Sequence, residues 1–403
     1  MQPSLPNEQF LQIANEFGTP VYIYHAEKIK AQYEKLVDAF SVLDTKFFYA
    51  CKALTNIHIL RYIKSIGCNI DCSSINEVKL ALHAGFEPRN VLYTSNGIAF
   101  DEIEEAVAAG VNVNIDSLSN LEKFGKQYGH SYPVGIRIRP NIMAGGNIKI
   151  STGHSKSKFG IPVEQLDELK RIVKENNIHI RTLHLHTGSE IKEVDVFIKG
   201  IEVLFELKPH FPELEVLDLG GGFKVPYHPQ EKEIDVVAIG TGLKKAFDEH
   251  PTADQKRLQV WFEPGKFLVC EAGYLLTQVN VLKASNGVTI AGVNTGLNHL
   301  IRPMMYDAYH HITNISNPTG AEQHYMVTGY ICETDTFADD RLLNEIREGD
   351  YLLFHNAGAY GFEMSSNYNS RYKPAEVLVK DGKAQIIRKR EEWSDLLRNQ
   401  VEL

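Results

Sequence analysis

The strand-like segment Phe47-Phe48-Tyr49-Ala50-Cys51 ends directly at Lys52, and a helical pattern begins behind Ala53-Leu54. A lysine at the end of a hydrophobic strand is costly to bury unless it is neutralised, paired or covalently bound. One interpretation is that its ammonium reaches solvent along the apolar stem of the side chain. The other is that its amine forms a Schiff base with a carbonyl cofactor. A phosphate cradle and a carboxylate brought to the same place would favour the second interpretation.

Composition limits the classes of protein to which the chain can belong. With 403 residues, 43% of them hydrophobic and 23% charged, it is long enough for two globular domains. A net charge of −9 without a Lys/Arg cluster disfavours nucleic-acid and membrane partners. No stretch approaches the ~18 apolar residues of a membrane span, and residues 1–8 do not resemble a signal peptide. Five scattered cysteines predict free thiols, and therefore a cytoplasmic protein without disulfides or a zinc site.

The first two-thirds of the chain alternates between strand and helix patterns. The strand-like segments cover residues 47–51, 68–72, 91–94, 111–115, 134–138, 180–186, 216–219 and 259–263. Helical patterns lie between most of them, as at 74–84, where Ser74 and Glu77 have the spacing of a capping box. Eight such units predict a (β/α)8 barrel over residues 25–265, because a doubly wound sheet rarely needs eight even units. The glycine-rich, polar segment 141–156 is a candidate mobile lid.

In such a barrel the catalytic residues lie at the carboxyl ends of the strands. The polar residues that close the eight predicted strands are Lys52, Asp71, Thr94, Asp116, Arg137, His186, Gly220-Gly221-Gly222 and Glu263. Individually, several have structural explanations, such as a helix cap for Asp116 or a turn for Thr94. Together they form a ring of reactive and charged groups, which indicates an active site at the mouth of the barrel.

The glycine triplet and the preceding histidines suggest how an anion would be held there. Consecutive glycines let backbone N–H groups converge on a phosphate, although this triplet lacks the spacing of a dinucleotide fingerprint or a P-loop. His184 and His186 alternate along a strand and therefore share a face. No carboxylate is spaced to complete a metal site, so no metal is predicted. His186 with Ser189 suits a flat, phosphate-bearing cofactor, and a core position explains His184.

Glu263 ends an aromatic strand and is followed by Pro264-Gly265. A buried glutamate needs a cationic partner, which is either a barrel arginine or lysine or the protonated ring nitrogen of a pyridine cofactor. In the second case the glutamate would keep that nitrogen protonated. The ring would then be a strong electron sink, as the loss of carbon dioxide requires.

These segments together resemble the pyridoxal-phosphate-dependent decarboxylases of the alanine-racemase-like barrel fold, nearly from end to end. The motifs that carry the resemblance are Tyr49-Ala50-Cys51-Lys52-Ala53, Asp71-Cys72-Ser73-Ser74, Ser157-Lys158-Phe159-Gly160, His186-Thr187-Gly188-Ser189, the glycine triplet and Glu263-Pro264-Gly265. The resemblance implies pyridoxal 5'-phosphate bound through Lys52, with His186 stacked on its ring and Glu263 on its ring nitrogen. It further implies that Ser189 and the glycines hold the phosphate and that Asp71 lies near the ring. Arg137, at another strand end, is a further candidate for cofactor binding.

From about residue 267 the pattern changes to strands without long helices between them. Strand-like segments at 274–284, 288–294, 324–331, 350–356 and 375–390 predict a second, β-rich domain over residues 266–403, resembling a sandwich or barrel. Asp381-Gly382 has the composition of a hairpin turn. By the resemblance, residues 1–24 return to this domain, which completes the active site. A short charged helix is predicted at 391–399.

Three motifs of the second domain resemble the family's substrate motifs. Arg302, with Tyr306 nearby, is expected to bind the carboxylate of the substrate's distal amino-acid end, for which a guanidinium fork is suited. Cys332 is expected to protonate the substrate carbanion, and Glu333 to bind the distal ammonium. Tyr360 is expected to contact the cofactor phosphate and the substrate. The resemblance also implies an obligate homodimer, in which the cysteine motif reaches the partner's active site.

The expected reaction is decarboxylation of meso-2,6-diaminopimelate to L-lysine, because Arg302 and Glu333 would recognise the second carboxylate and ammonium. The proton for the α-carbon would come from Cys332 or from Lys52. The alternatives are decarboxylation of ornithine, arginine or carboxynorspermidine by the same fold, racemisation, and a non-catalytic regulatory role. Lys266 departs from the family, in which an arginine that helps to anchor substrate commonly follows Glu-Pro-Gly. A lysine keeps the charge and loses the bidentate fork.

Overall fold

The computed structural model of the protein describes residues 2–140, 157–250 and 258–403, so the candidate lid at 141–156 lies outside the described residues. The helices, numbered along the chain, are α1 (Asn7–Phe17), α2 (Ala26–Ala39), α3 (Ile57–Ser65), α4 (Ile75–His83), α5 (Phe100–Ala108), α6 (Leu118–Tyr128), α7 (Leu166–Glu175), α8 (Val194–Leu207), α9 (Val236–Glu249), α10 (Lys266–Val269), α11 (Arg302–Tyr306) and α12 (Trp393–Leu397).

The strands are numbered in the same way. They are β1 (Val21–His25), β2 (Thr45–Ala50), β3 (Asn69–Cys72), β4 (Val91–Thr94), β5 (Asn112–Ile115), β6 (Val134–Arg139), β7 (Ile161–Pro162), β8 (Ile180–His184), β9 (Val216–Asp218), β10 (Gln259–Phe262), β11 (Gly273–Ser285), β12 (Val288–Val293), β13 (Ile312–Asn314), β14 (Glu322–Thr328), β15 (Thr336–Asn344), β16 (Tyr351–Phe354), β17 (Ala375–Lys380) and β18 (Lys383–Arg388).

The chain divides into two compact units. The barrel unit comprises Ala31–Val225 and Glu233–Phe267, and the β-rich unit comprises Met1–Lys30, Pro226–Lys232 and Leu268–Leu403. The boundaries expected from the sequence assign residues 25–265 to the barrel and residues 1–24 and 266–403 to the second domain. These boundaries remain predictions. Among the described residues, every helix is too short or too polar to cross a bilayer.

The barrel unit is a closed ring of parallel strands. Its order is β5-β4-β3-β2-β10-β9-β8-β6, and pairing of β5 with β6 closes the ring of eight, while the short β7 adds to β6. Because all eight strands are parallel, their carboxyl ends meet at one mouth. The predicted (β/α)8 barrel with a second β-rich region is therefore confirmed.

Aromatic residues on β2 and β10 show how the barrel wall is packed on both faces. Phe47 and Phe262 stack with ring centroids 5.7 Å apart, and Phe40, directly after α2, lies 4.6 Å from Phe262 on the helix side. The adjacent residues Phe48 and Trp261 point to the other face of the sheet, and their ring centroids lie 4.5 Å apart. Strands buried on both faces are typical of parallel sheets covered by helices.

The β-rich unit is built around the amino-terminal strand. Its sheet runs β15-β14-β12-β11-β1-β17-β18, with β16 pairing both β11 and β13. β1 is antiparallel to β11 and parallel to β17. β17 and β18 form the hairpin predicted from Asp381-Gly382, and both turn residues have positive φ, 50° and 72°, as this dipeptide favours.

Besides β1, two strands and one long helix of the β-rich unit have no counterpart among the predicted segments. Strand β15 carries Asp339, Asp340 and Arg341 at its centre, which breaks the apolar alternation, and its pairing with β14 shifts register twice. It is an edge strand, where charged residues are tolerated. The others are β13, which is only three residues long, and α1. The broken alternation explains the omission of β15, and short length explains that of β13.

Two glycines of α9 allow a matched test of barrel packing. A Cβ added to Gly240 would lie 2.2 Å from the carbonyl oxygen of Ala39, whereas one added to Gly242 would meet only the end of the Ile198 side chain, at 2.8 Å. We expect Gly240→Ala to destabilise the protein by about 1–3 kcal/mol, because backbone must move. The corresponding fall in the thermal unfolding midpoint is about 2–4 °C for each kcal/mol.

We expect Gly242→Ala to change that midpoint little, because the isoleucine can move and alanine favours a helix by about 1 kcal/mol over glycine. Thermal unfolding followed by circular dichroism compares the two variants. Equal losses from both would contradict this account of the packing.

Candidate active site

Strand β2 delivers Lys52 to the mouth of the barrel. The strand ends at Ala50, and the single 3-10 turn Cys51–Ala53 follows, so the lysine lies at the carboxyl end of its strand. The backbone N–H of Ala50 donates to the carbonyl oxygen of Pro264 at 3.2 Å. Because Pro264 directly follows Glu263, this bond ties the lysine turn to the end of the neighbouring strand β10.

Glu263 is a buried carboxylate with several polar neighbours. Thr94 Oγ1 donates to its Oε1 at 3.3 Å, and Asn114 Nδ2 donates to the same threonine oxygen at 3.1 Å. His184 Nε2 lies 3.4 Å from Glu263 Oε1. Burial alone would raise the pKa of Glu263, but His184 and then Lys52 outweigh burial and hold that pKa well below its usual range. The carboxylate is therefore ionised at neutral pH.

Two further carboxyl groups share this interior. Asp71 and Asp218 are buried, and burial raises the pKa of each, with the charge of Glu263 adding to the rise. Asp218 Oδ1 accepts the backbone N–H of Gly220 at 2.9 Å. Within the described residues, neither oxygen of Asp71 has a hydrogen-bond partner. A buried polar group in this state needs another partner, and a polar cofactor would supply one.

The glycine triplet is required by close packing. A Cβ on Gly221 would lie 2.4 Å from the carbonyl oxygen of Glu263, and one on Gly222 would lie 2.4 Å from that of Gly188. The N–H of Gly221 donates to His186 Nδ1 at 3.3 Å. Burial, reinforced by nearby cations, lowers the pKa of His186 well below its usual value, so the ring is neutral at pH 7. The glycine triplet after β9 thus places backbone without side chains beside the neutral imidazole of His186.

Arg137 contributes a second cation to the interior of the barrel. It lies on β6, its side chain is buried, and its Cζ is 4.7 Å from the ring centroid of Phe159. Burial lowers its pKa, while the carboxylates of Glu263, Asp116 and Asp71 raise it. Together with Lys52, this arginine offsets part of the negative charge at the mouth.

The lysine that departs from the family has an acidic partner. Lys266 Nζ lies 2.8 Å from Glu190 Oε1, and the two side chains are 11% and 29% exposed. Glu190 directly follows Ser189 in the loop after β8 and has a positive φ of 60°. The ammonium is thus held toward the loop that contains the predicted phosphate-binding serine.

In the β-rich unit, a buried arginine is surrounded by tyrosines. The Cζ of Arg302, the first residue of α11, lies 5.4 Å from the ring centroid of Tyr227, 5.8 Å from that of Tyr306 and 5.9 Å from that of Tyr360. Three predicted substrate residues are thus brought together. Tyr227 was not among the predicted residues, because it lies in a short segment between barrel elements.

Cys332 and Glu333 form a separate, exposed group in the same unit. Asn369 Nδ2 donates to Cys332 Sγ at 3.3 Å, and the hydroxyl of Tyr368 donates to the Glu333 carboxylate. Of the five cysteines, the other four are buried. Cys332 is therefore the one thiol of the chain that another molecule can reach directly.

Comparison with known proteins agrees with this geometry. Residues 26–270 match the family described as pyridoxal-dependent decarboxylase, pyridoxal binding domain. The diaminopimelate decarboxylase of Methanothermobacter thermautotrophicus is 39% identical over 97% of this chain and 93% of its own length. The crystal structure of diaminopimelate decarboxylase from M. jannaschii superposes with a TM-score of 0.89 at 30% identity, covering 98% of this chain and 94% of that one.

A second solved structure, diaminopimelate decarboxylase from Helicobacter pylori complexed with L-lysine, has a TM-score of 0.88 and 31% identity, covering 96% of this chain and 98% of that one. The chain therefore belongs to the pyridoxal-dependent decarboxylases, and within them to the diaminopimelate decarboxylase family. The family resemblance and the carboxy-lyase class predicted from the sequence are thereby confirmed.

Several residues around Glu263 were missed or undervalued by sequence reasoning. Asn114 and Asp218 received no role, His184 was explained as a core histidine, and Glu190 was not considered. Strand alternation could have identified two of them, because residues two apart on a strand face the same side. His184 precedes His186 by two residues, and Asp218 precedes Gly220 by two. For Glu190, only the contact with Lys266 reveals its importance.

Removing the imidazole beside Glu263 should weaken binding of the family's pyridoxal cofactor. In His184→Leu, no imidazole counters the effect of burial on Glu263, so the pKa of Glu263 should rise. Its carboxylate should then pair less well with a protonated ring nitrogen. A lost contact with a charged group is worth about 1.5–3 kcal/mol, so we expect the dissociation constant to rise roughly tenfold or more.

Fluorescence titration of the cofactor-free enzyme measures that constant. His184→Gln is the matched control, because its side-chain amide can still donate to Glu263, and its affinity should be closer to that of the unmodified chain. An unchanged dissociation constant in His184→Leu would show that His184 does not tune Glu263.

Proposed function

We propose that this chain binds pyridoxal 5'-phosphate and decarboxylates meso-2,6-diaminopimelate to L-lysine, the last step of lysine biosynthesis. The observation that carries the proposal is the match over nearly the whole chain to relatives named diaminopimelate decarboxylase. One of the matched structures was solved with L-lysine, which is the product of the proposed reaction. The experiment below decides between this substrate and the same-fold alternatives ornithine and arginine.

The donor set at the barrel mouth fits this cofactor. Lys52 offers an amine, Glu263 an ionised carboxylate for the ring nitrogen, and Asp71 two buried oxygens in need of a partner. When bound, pyridoxal phosphate supplies a carbonyl that captures the substrate amine and a ring that accepts the electron pair left by carbon dioxide. The ionised Glu263 and the intact Lys52 favour a decarboxylase over a racemase or a non-catalytic homologue.

Each remaining residue of the mouth has a role in holding that cofactor. Glu263 would keep a proton on the ring nitrogen, and the neutral imidazole of His186 would pack against the ring. The phosphate would be held by Ser189 and the glycine triplet 220–222, with Arg137 as a further cation. Tyr360 of the β-rich unit is predicted to contact the phosphate as well. Because these groups are positioned by separate strands and loops, they are preorganised before the substrate arrives.

Recognition of the substrate would depend on the charged and polar side chains predicted from the sequence. The guanidinium of Arg302 is suited to the distal carboxylate, with Tyr306 and Tyr360 beside it. Glu333 would bind the distal ammonium. Lys266 would add a single-point contact where the family commonly has an arginine. A substrate that lacks the second carboxylate would not form this bidentate contact, which is the proposed basis of selectivity.

The final proton would come from Cys332 Sγ or from Lys52 Nζ. Cys332 and Glu333 are exposed, as expected for groups that act in the active site of a partner subunit, and we propose a homodimer with shared sites. All five cysteines are free thiols, so we also expect the enzyme in the reducing environment of the cytoplasm.

Carbon dioxide release should distinguish the possible substrates. We expect turnover of meso-diaminopimelate and at most weak turnover of ornithine or arginine, because only the first fills the site with a second carboxylate. Arg302→Lys should lower kcat/KM for diaminopimelate by about 10–100-fold, since the bidentate fork is lost. Turnover of arginine equal to that of diaminopimelate would contradict the assignment.

Mixing two inactive variants should reveal sites shared between subunits. If Cys332 is the proton donor, Lys52→Ala and Cys332→Ala should each be nearly inactive as pure dimers. If each site takes its lysine from one chain and its cysteine from the other, an equimolar, re-equilibrated mixture should recover roughly a quarter of full activity, because half the dimers contain one intact site. Recovery of no activity, with subunit exchange verified by mass spectrometry, would contradict the shared site.

A further inference from the structure

A second cluster of ligating side chains lies at the opposite end of the barrel. His130 precedes β6, His179 directly precedes β8, and Glu213 precedes β9. These three strands are neighbours in the barrel, with β8 pairing both β6 and β9. Because the strands are parallel, the loops before them meet at the amino-terminal end, away from Lys52 and Glu263.

The three side chains are already close together. His130 Nε2 lies 2.8 Å from Glu213 Oε1. The imidazole rings of His130 and His179 stack with centroids 5.0 Å apart and planes inclined by 20°. One ligating atom from each of the three residues lies within 4.8 Å of the other two. Two imidazoles and a carboxylate therefore converge on one small volume.

His179 supplies an independent indication of a ligand. Its Nε2 is buried, and no hydrogen-bond partner for it occurs within the described ranges. A surface ion pair between His130 and Glu213 would account for those two residues but would leave this nitrogen without a partner. The backbone of His179 is held in place, since its carbonyl oxygen accepts the N–H of Val134 at 3.0 Å. The nitrogen is thus both fixed and in need of a partner.

We propose that His130, His179 and Glu213 bind one zinc ion, which links three loops at the amino-terminal end of the barrel. Two imidazole nitrogens and one carboxylate suit zinc and related transition metals, whereas magnesium and calcium prefer oxygen ligands. Water would complete the coordination shell. The site lies outside the catalytic machinery, so the ion would stabilise the fold and take no part in decarboxylation.

Small movements of exposed side chains would complete the coordination geometry. Zinc–nitrogen and zinc–oxygen distances of about 2.0–2.2 Å require the ligating atoms to approach to roughly 3.3 Å of one another. His130 and Glu213 have side chains that are 51% and 46% exposed, so both can rotate toward the buried nitrogen of His179. Zinc would also replace their direct hydrogen bond with two bonds to the metal.

Calorimetric titration with zinc chloride tests the proposal on the full-length, cofactor-loaded protein after removal of metals by a chelator. The titrations use a Cys332→Ser background, so that the exposed thiol takes no zinc. We expect one zinc ion per chain in this background, and at least tenfold weaker binding when His130→Gln or Glu213→Gln is added. Both substituted residues are surface residues, and circular dichroism checks that the variants are folded.

The matched control is His324→Gln. His324 Nδ1 lies 2.8 Å from Asp340 Oδ1, so this exposed pair resembles His130–Glu213, and neither residue belongs to a ligating cluster of the described chain. Zinc binding should be unchanged in this variant. With Cys332 intact, zinc should also raise the thermal unfolding midpoint of the unsubstituted protein and not that of His130→Gln. Carbon dioxide release by His130→Gln, also with Cys332 intact, should be normal. Absence of saturable zinc binding, or equal binding in His130→Gln, Glu213→Gln and the control, would overturn the proposal.

Discussion

The carboxylate of Glu263 is ionised inside the barrel, and much of the interior is arranged around that charge. Burial alone would neutralise it, so the surrounding strands must supply donors and positive charge. Thr94, Asn114 and His184 come from three different strands and form that environment. Asn114 in turn needs a glycine on the neighbouring strand, since a Cβ on Gly135 would lie 1.9 Å from its Oδ1. A single charge thus constrains residue choice across half the barrel.

The charge of Glu263 also makes the pKa values of three neighbouring carboxyl groups differ. Interactions with His184 and Lys52 lower the pKa of Glu263 despite its burial. The pKa values of Asp71 and Asp218 rise instead, because both are buried and are repelled by Glu263. Like charges in a low-dielectric interior cannot all be ionised at once. The result is one permanent anion, Glu263, beside two carboxyl groups whose protonated form is favoured by burial.

Local signals explain why much of the fold was predictable. A polar residue that closes an apolar segment is visible in the sequence, and Lys52, His186 and Glu263 all lie in that position. Strand β4 even coincides with the predicted residues 91–94, whereas β8 ends at His184 because the chain turns into its loop two residues earlier than expected. Contacts such as Glu190 with Lys266, or Tyr227 with Arg302, join distant parts of the chain and leave no periodic pattern. They depend on tertiary structure alone.

The replacement of an arginine by Lys266 is physically consistent with the proposed specificity. An ammonium is a point charge without a preferred plane, and Glu190 already neutralises part of it, so Lys266 is poorly suited to select between substrates. Arg302 differs, because its planar guanidinium is buried among three tyrosine rings that restrict its orientation. Under the proposed function, selection for a second carboxylate would therefore depend on Arg302. The ionisation of Glu263 is governed by burial, His184 and Lys52, so it does not depend on the exchange at position 266.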